Sequence, residues 1–214
     1  MPVTDHLINK LIEHQQRLKS CQLCPQMNGP AVHGGAFLSP ILLIGQAPGP
    51  REIEINKPFA WTAGKTLFSW FETIGLDEQS FRSKVFMSAV CRCFPGKKIS
   101  KGKVQAGDRV PNQQEIDTCG QWLGNEINLL KPELIILVGK LSISQVLPVK
   151  KLTDVIGQSF YAQLHGWNTE FIPLPHPSGL STWYRTEPGK TLLKQALDLI
   201  EKHPAWQYIL KQQI

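Results

Sequence analysis

Four apolar runs of strand length punctuate the chain: ILLIG at 41–45, VFMSAV at 85–90, ELIILVG at 133–139 and FIPLP at 171–175. They are continuous rather than alternating, which marks strands buried on both faces. Helical spacing separates them, in AGKTLFSWFETIG (63–75), PNQQEIDTCGQWLGNEINLL (111–130) and GKLSISQVL (139–147). Two more helices are expected near 188–201 and 204–212. At the start, Leu7, Ile8, Leu11, Ile12 and Leu18 recur at helical period, with Thr4 or Asp5 as the cap. Strands alternating with helices predict an α/β fold: a three-layer αβα arrangement around a central, mostly parallel four-stranded sheet. No repeat, low-complexity tract or linker interrupts the pattern, so one domain is expected over residues 1–214.

Ligands of such open sheets bind beyond the carboxyl ends of the strands. The informative segments are therefore the ones that follow each run: GQAPGPRE, CRCFPGKK, GKLS and HPSGLSTWYR. Three of the four are rich in Gly, Pro and functional groups, which points to one composite site.

Composition narrows the classes. Hydrophobic residues make up 42% and charged residues 19% of the 214, enough for a core and too little charge for a disordered chain. No apolar run is long enough to span a bilayer, and the first residues do not form a secretory apolar segment. A soluble, cytoplasmic monomer with no membrane contact is expected. The net charge of +6 favours acidic partners, nucleic acid first. Five cysteines in a reducing compartment suit ligands, core positions or redox groups better than disulfides.

Cys21 and Cys24 form a C-x-x-C in a loop, Cys91 and Cys93 follow the second run, and Cys119 lies on the apolar face of a helix. Four thiolates from three segments can hold a tetrahedral metal or an iron–sulfur cluster. Cys119 also reads as a core thiol, and Cys24 before Pro25 as a plain turn. Cys91 is the spare, because Cys93 adjoins the Phe-Pro-Gly turn that leaves the strand.

Between Cys93 and Cys119, the segment FPGKKISKGKVQAGDRVP carries Lys97, Lys98, Lys101, Lys103 and Arg109 against the single acid Asp108. The segment reads either as a solvated loop or as an arm that touches phosphates. TAGKT resembles a phosphate loop but has Phe59 where the first glycine belongs, and no G-x-S-x-G elbow is present. In GQAPGP, Pro48 and Gly49 make a turn whose N–H groups can meet an anion or a base carbonyl. Phe59 and Trp61 supply flat faces for a ring. His176 stands between Pro175 and Pro177 at a strand end; a neutral imidazole fixed in this way can donate to a developing oxyanion. The Ser178-Gly179 turn follows, with Leu180 as an apolar tip able to enter a base stack.

These residues resemble the uracil-DNA glycosylase superfamily. GQAPGP is similar to its first motif and HPSGLS to its last, and the cysteine order is similar to its iron–sulfur branch, often called family 4. The resemblance runs from about Cys21 to Ile200. It implies a base-excision glycosylase that flips uracil or another deaminated base out of DNA and hydrolyses its glycosidic bond. Phe59 then stacks on the base and His176 stabilises charge on its O2. Ser178 and Leu180 meet the backbone and the vacated stack, and Cys21, Cys24, Cys93 and Cys119 carry a [4Fe–4S] cluster.

Two departures stand out. Gln46 and Ala47 occupy the positions where branches of the family place a carboxylate, and Gln46 can orient a water but cannot take its proton. Ser88 or Ala89 stands where many relatives carry a base-reading asparagine. Glu52 is the nearest acid in the loop and the candidate base. The expected enzyme is slow on uracil or aimed at another deaminated base, because base selection depends on satisfied polar partners. The alternative is a DNA-binding protein that keeps the fold and the cluster without the chemistry.

Overall fold

The computed structural model describes residues 3–212. The strands are β1 (Ile41–Gly45), β2 (Phe86–Ala89), β3 (Lys97–Ser100), β4 (Lys103–Asp108), β5 (Leu134–Val138), β6 (Phe160–Leu164) and β7 (Trp167–Leu174). β2, β1, β5, β7 and β6 form one sheet in that order, and β3 pairs with β4 in a separate ribbon. β1 pairs in parallel with β2 and β5, and β5 with β7. Every residue of β1 and β5 is buried, and each large aliphatic side chain among them contributes about 1.5–3 kcal/mol by leaving water.

The sheet has five strands rather than four. β6 pairs antiparallel with β7 through a turn at His165 and Gly166, both with positive φ (48° and 82°), the two-residue hairpin geometry that matches strand twist. β6 is an edge strand in which exposed Tyr161 and Gln163 alternate with Phe160, Ala162 and Leu164. Without a continuous apolar run it carries little sequence signal. The basic segment also differs from a mobile loop. It folds as a hairpin whose turn, Lys101-Gly102, again has both residues at positive φ.

The helices are α1 (Val3–Lys19), α2 (Pro50–Ile55), α3 (Thr62–Glu72), α4 (Glu78–Lys84), α5 (Gln113–Leu130), α6 (Lys140–Ser144), α7 (Gly189–Lys202) and α8 (Pro204–Lys211). Thr4 and Asp5 fall inside the first turn of α1 rather than capping it. The short α2 and α4 lie in stretches where the apolar period is too brief to read. Local chemistry sets the ends of α5. The Asn112 side chain accepts from the Glu115 N–H while Glu115 accepts from the Asn112 N–H, both at 2.9 Å. Lys131 then turns left-handed ahead of Pro132. Trp206 of α8 is fully buried, stacks on Phe71 of α3 and donates Nε1–H to the Ile74 carbonyl at 3.0 Å. Among the described residues no helix is long and apolar enough to cross a membrane.

The strand order places a switch point at β1. The chain leaves β1 toward β2 on one side, and leaves β5 toward β7 on the other. Loops that diverge from two adjacent strand ends leave a crevice between them.

Candidate active site

A cleft of ≈780 Å³ occupies that crevice. The loop after β1 lines one wall with Gln46, Ala47, Gly49 and Glu52; Ser88 and Ala89 close it at the end of β2. Phe59, His176, Ser178 and Leu180 also line it, and the ribbon adds Lys97 and Asp108. Lys98, Lys101 and Lys103 lie outside the cleft, exposed along the ribbon.

Phe59 is held by its backbone. It sits at φ +50°, and the Arg82 guanidinium donates to the carbonyls of Pro58 and Phe59 at 2.8 and 3.0 Å. A Cβ at Gly64 would overlap the Phe59 carbonyl, so the first turn of α3 tolerates only glycine there.

His176 is held from two sides. Its Nδ1 accepts the Ser178 N–H at 3.2 Å. In the neutral ring that bond leaves the proton on Nε2 as a donor. Burial pushes the imidazole pKa below its ordinary value, against the opposing pull of the Asp108 charge. Gly139, at φ +89°, gives the ring its space: a Cβ there would stand 2.9 Å from His176 Cδ2.

Where β2 ends, the cleft wall is apolar at Ala89, and the Ser88 hydroxyl is turned away. It donates to Glu126 Oε2 at 2.8 Å inside a buried polar network. Glu126 is fully buried, pairs with Arg92 and accepts from His14 Nε2 at 3.3 Å. Burial alone would raise the Glu126 carboxyl, but Arg92, His14 and Ser88 hold it below the ordinary range. Glu52 has its own partner, the Gly49 N–H at 3.0 Å, which caps α2.

Arg92 also borders a second cavity, of ≈500 Å³, lined by Cys21, Cys24, Cys93 and Cys119. Paired hydrogen bonds between Asn28 and Phe94, both 2.8 Å, tie the C-x-x-C loop to the strand end that carries Cys93. Cys91 is fully buried outside this lining, and its hydrogen bond lowers the neighbouring Cys119 thiol to about 7. Burial and the other three thiols push Cys93 up to about 12. Cys93, and Cys24 whose thiol burial also raises, resist ionisation until a cation binds them, whereas Cys119 gives up its proton more readily. Among the described residues no three His, Cys, Asp or Glu side chains converge tightly enough to hold a single ion.

Arg109, grouped by sequence with the lysines of the basic segment, is instead an anchor. It donates to both oxygens of Glu115, at 2.5 and 2.7 Å, and to the Gln26 carbonyl at 3.2 Å. Asp108 was visible in the sequence only as the lone acid of a basic segment. Its segment is bounded by two cysteines that face one cavity, and this was the available sign that the ribbon base stays near the site.

The fold and cleft define an open-sheet α/β protein with an aromatic- and imidazole-lined pocket at its switch point. The chain belongs to the uracil DNA glycosylase superfamily, whose family model matches residues 33–200. It is similar to the type-4 uracil-DNA glycosylase of Pyrobaculum aerophilum, 29% identical over 171 residues covering 76% of this chain and 80% of that protein. It is also similar to the type-4 enzyme of Sulfurisphaera tokodaii, 27% identical over 80% of this chain and 74% of that protein. The Thermotoga maritima enzyme matches at 27% over 77% of this chain and 80% of its own length.

Removing Glu126 leaves the Arg92 guanidinium buried without its partner. Glu126→Ala is expected to cost about 3–5 kcal/mol, read as a lower urea midpoint. A variant as stable as the parent would show that the network carries no weight.

Proposed function

We propose that the chain is a DNA base-excision glycosylase that hydrolyses the N-glycosidic bond of uracil or another deaminated base. The observation that carries this reading is the placement of His176, with Nε2–H as donor, in the same cleft as the Phe59 ring. An extruded base enters the cleft and stacks on Phe59. As the bond from C1′ to the base nitrogen breaks, its electron pair moves onto the base, and His176 Nε2–H meets the charge on O2. Water completes the sugar at C1′. Leu180, 67% exposed at its loop tip, fills the vacated stack. Ser178 positions the imidazole through its N–H and faces the backbone. The exposed Lys98, Lys101 and Lys103, with Lys97 at the cleft, contact phosphates. With Ser88 engaged by Glu126 and Ala89 apolar, no side-chain amide reads the base at the end of β2. Discrimination among deaminated bases is accordingly loose.

The four cysteines around one roomy cavity fit a [4Fe–4S] cluster, in which each thiolate binds a separate iron. Bound there, the cluster would offset part of the thiolate charge and brace the C-x-x-C loop, the end of β2 and α5, which together back the DNA-facing side.

Oligonucleotides carrying uracil, hypoxanthine or xanthine, followed by alkali, should report cleavage of at least one. DNA binding without cleavage of any would leave the non-catalytic alternative. His176→Ala should lower the single-turnover rate by about 10²–10³; an unchanged rate removes the imidazole from the mechanism. Binding should weaken with salt, and the triple change Lys98→Ala, Lys101→Ala, Lys103→Ala should flatten the log–log slope by roughly 0.9 for each lysine that touches phosphate. An identical slope would release the ribbon from that role. Protein purified without oxygen should be brown and contain iron and sulfide. The colour should vanish in Cys21→Ser, Cys24→Ser, Cys93→Ser or Cys119→Ser and survive in Cys91→Ser. Colourless, zinc-containing protein would overturn the cluster.

A further inference from the structure

The loop after β1 places no carboxylate at Gln46 or Ala47, yet the cleft is not without acids. Glu52 and Asp108 line it. They are not equivalent. Glu52 Oε2 accepts the Gly49 N–H at 3.0 Å and closes the cap of α2, so moving it toward a substrate would open that turn.

Asp108 arrives from a different part of the fold, at the end of β4 where the ribbon meets the cleft. Its Oδ1 accepts from Lys97 Nζ across the ribbon at 2.7 Å, which fixes the orientation of the carboxylate. Its Oδ2 faces the turn after β1: a Cβ built on Gly49 would stand 3.4 Å from it. Among the described residues no donor occupies Oδ2. The neighbouring Gly107 abuts the wedge, since a Cβ there would stand 3.0 Å from Leu180 Cδ1. The Asp108 charge also acts on the half-buried His176 imidazole. The ribbon base therefore sits close beside the turn at Gly49 and the leucine tip and reaches the imidazole electrostatically. Its seat is rigid, because the Arg109 N–H donates to the Gly96 carbonyl at 2.9 Å and the Arg109 side chain is clamped on Glu115.

We infer that Asp108 is the carboxylate that activates the attacking water, supplied by the ribbon in place of the acid missing from the loop after β1. This rests on the glycosylase reading above. In the step, the bond from C1′ to the base nitrogen breaks and its electron pair leaves with the base. The water oxygen bonds to C1′ and its proton passes to Asp108 Oδ2. That proton returns to solvent, the departing base anion takes one up, and nothing is oxidised or reduced. While still charged, the carboxylate also faces the cationic sugar, which its field stabilises. Gln46 is left to orient the water, a role an amide can fill.

The test compares Asp108→Asn, Asp108→Ala and Glu52→Gln with the parent in single-turnover cleavage across pH, alongside binding of the same oligonucleotides. Asp108→Asn should cut the rate by about 10²–10⁴ and erase the acid limb of the pH–rate profile. Its DNA affinity should stay within about threefold, as for a group acting only in the transition state. Formate should restore part of the rate to Asp108→Ala, and Glu52→Gln should keep the acid limb. If Asp108→Asn cleaves like the parent with the limb intact, the inference falls and the glycosylase reading stands. A loss accompanied by weakened binding and no formate rescue would make Asp108 a brace for the ribbon, which also overturns it. A parent protein that binds but cleaves none of the bases ends both readings together.

Discussion

The carboxylate of Glu126 joins the parts of this protein that matter for its site. It lies fully buried on α5 and receives His14 from α1, Ser88 from β2 and Arg92 from the segment after β2. The same three segments lead to the cysteines: α1 into the loop of Cys21 and Cys24, β2 into Cys93, and α5 through Cys119. One ionic centre thus sets the relative positions of the cysteine cavity and of the inner wall of the cleft. A buried ion pair is a poor source of net stability compared with apolar packing. Its effect here is geometric, because each partner satisfied at Glu126 fixes one segment's position.

That arrangement bears on base recognition. The Ser88 hydroxyl points into the network, so its bond to Glu126 is made at the expense of the cleft. On the proposed reading, the cleft keeps stacking and oxyanion contacts while its side-chain reading of the base edge at β2 is reduced. Binding a flat ring and stabilising a leaving anion are general abilities, whereas telling one pyrimidine or purine from another needs paired donors and acceptors.

The ribbon gives the cleft its other half. The turn at Gly49 after β1, His176 after β7 and Phe59 between α2 and α3 are all held by tight backbone contacts. The ribbon brings charge, with Lys97 and Asp108 at its base and further lysines along its exposed length. It has no core of its own and depends on the Arg109–Glu115 clamp and on contact near Leu180 for its direction. A rigid apolar wall facing a charged, anchored arm suits a substrate that is a ring at one end and a polyanion at the other.

Residue pattern alone determined the parallel core, because β1 and β5 are buried on both faces and their apolar runs are unbroken. It also determined which strand ends carry chemistry, since Gly, Pro and His at those ends have few other uses. Edge strand β6 escaped it: two of its five residues face water and only one is buried, so its pattern blends into a loop. The ribbon escaped it too, because its pairing rests on backbone geometry at Lys101-Gly102 and not on burial. At the site, His176, Phe59 and the cysteine set were legible as residue types. The engagement of Ser88, the capping duty of Glu52, the anchoring of Arg109 and the arrival of Asp108 were decided only by the tertiary structure. Each depends on which distant group a polar side chain meets, and that distance is fixed by packing between segments far apart in the chain.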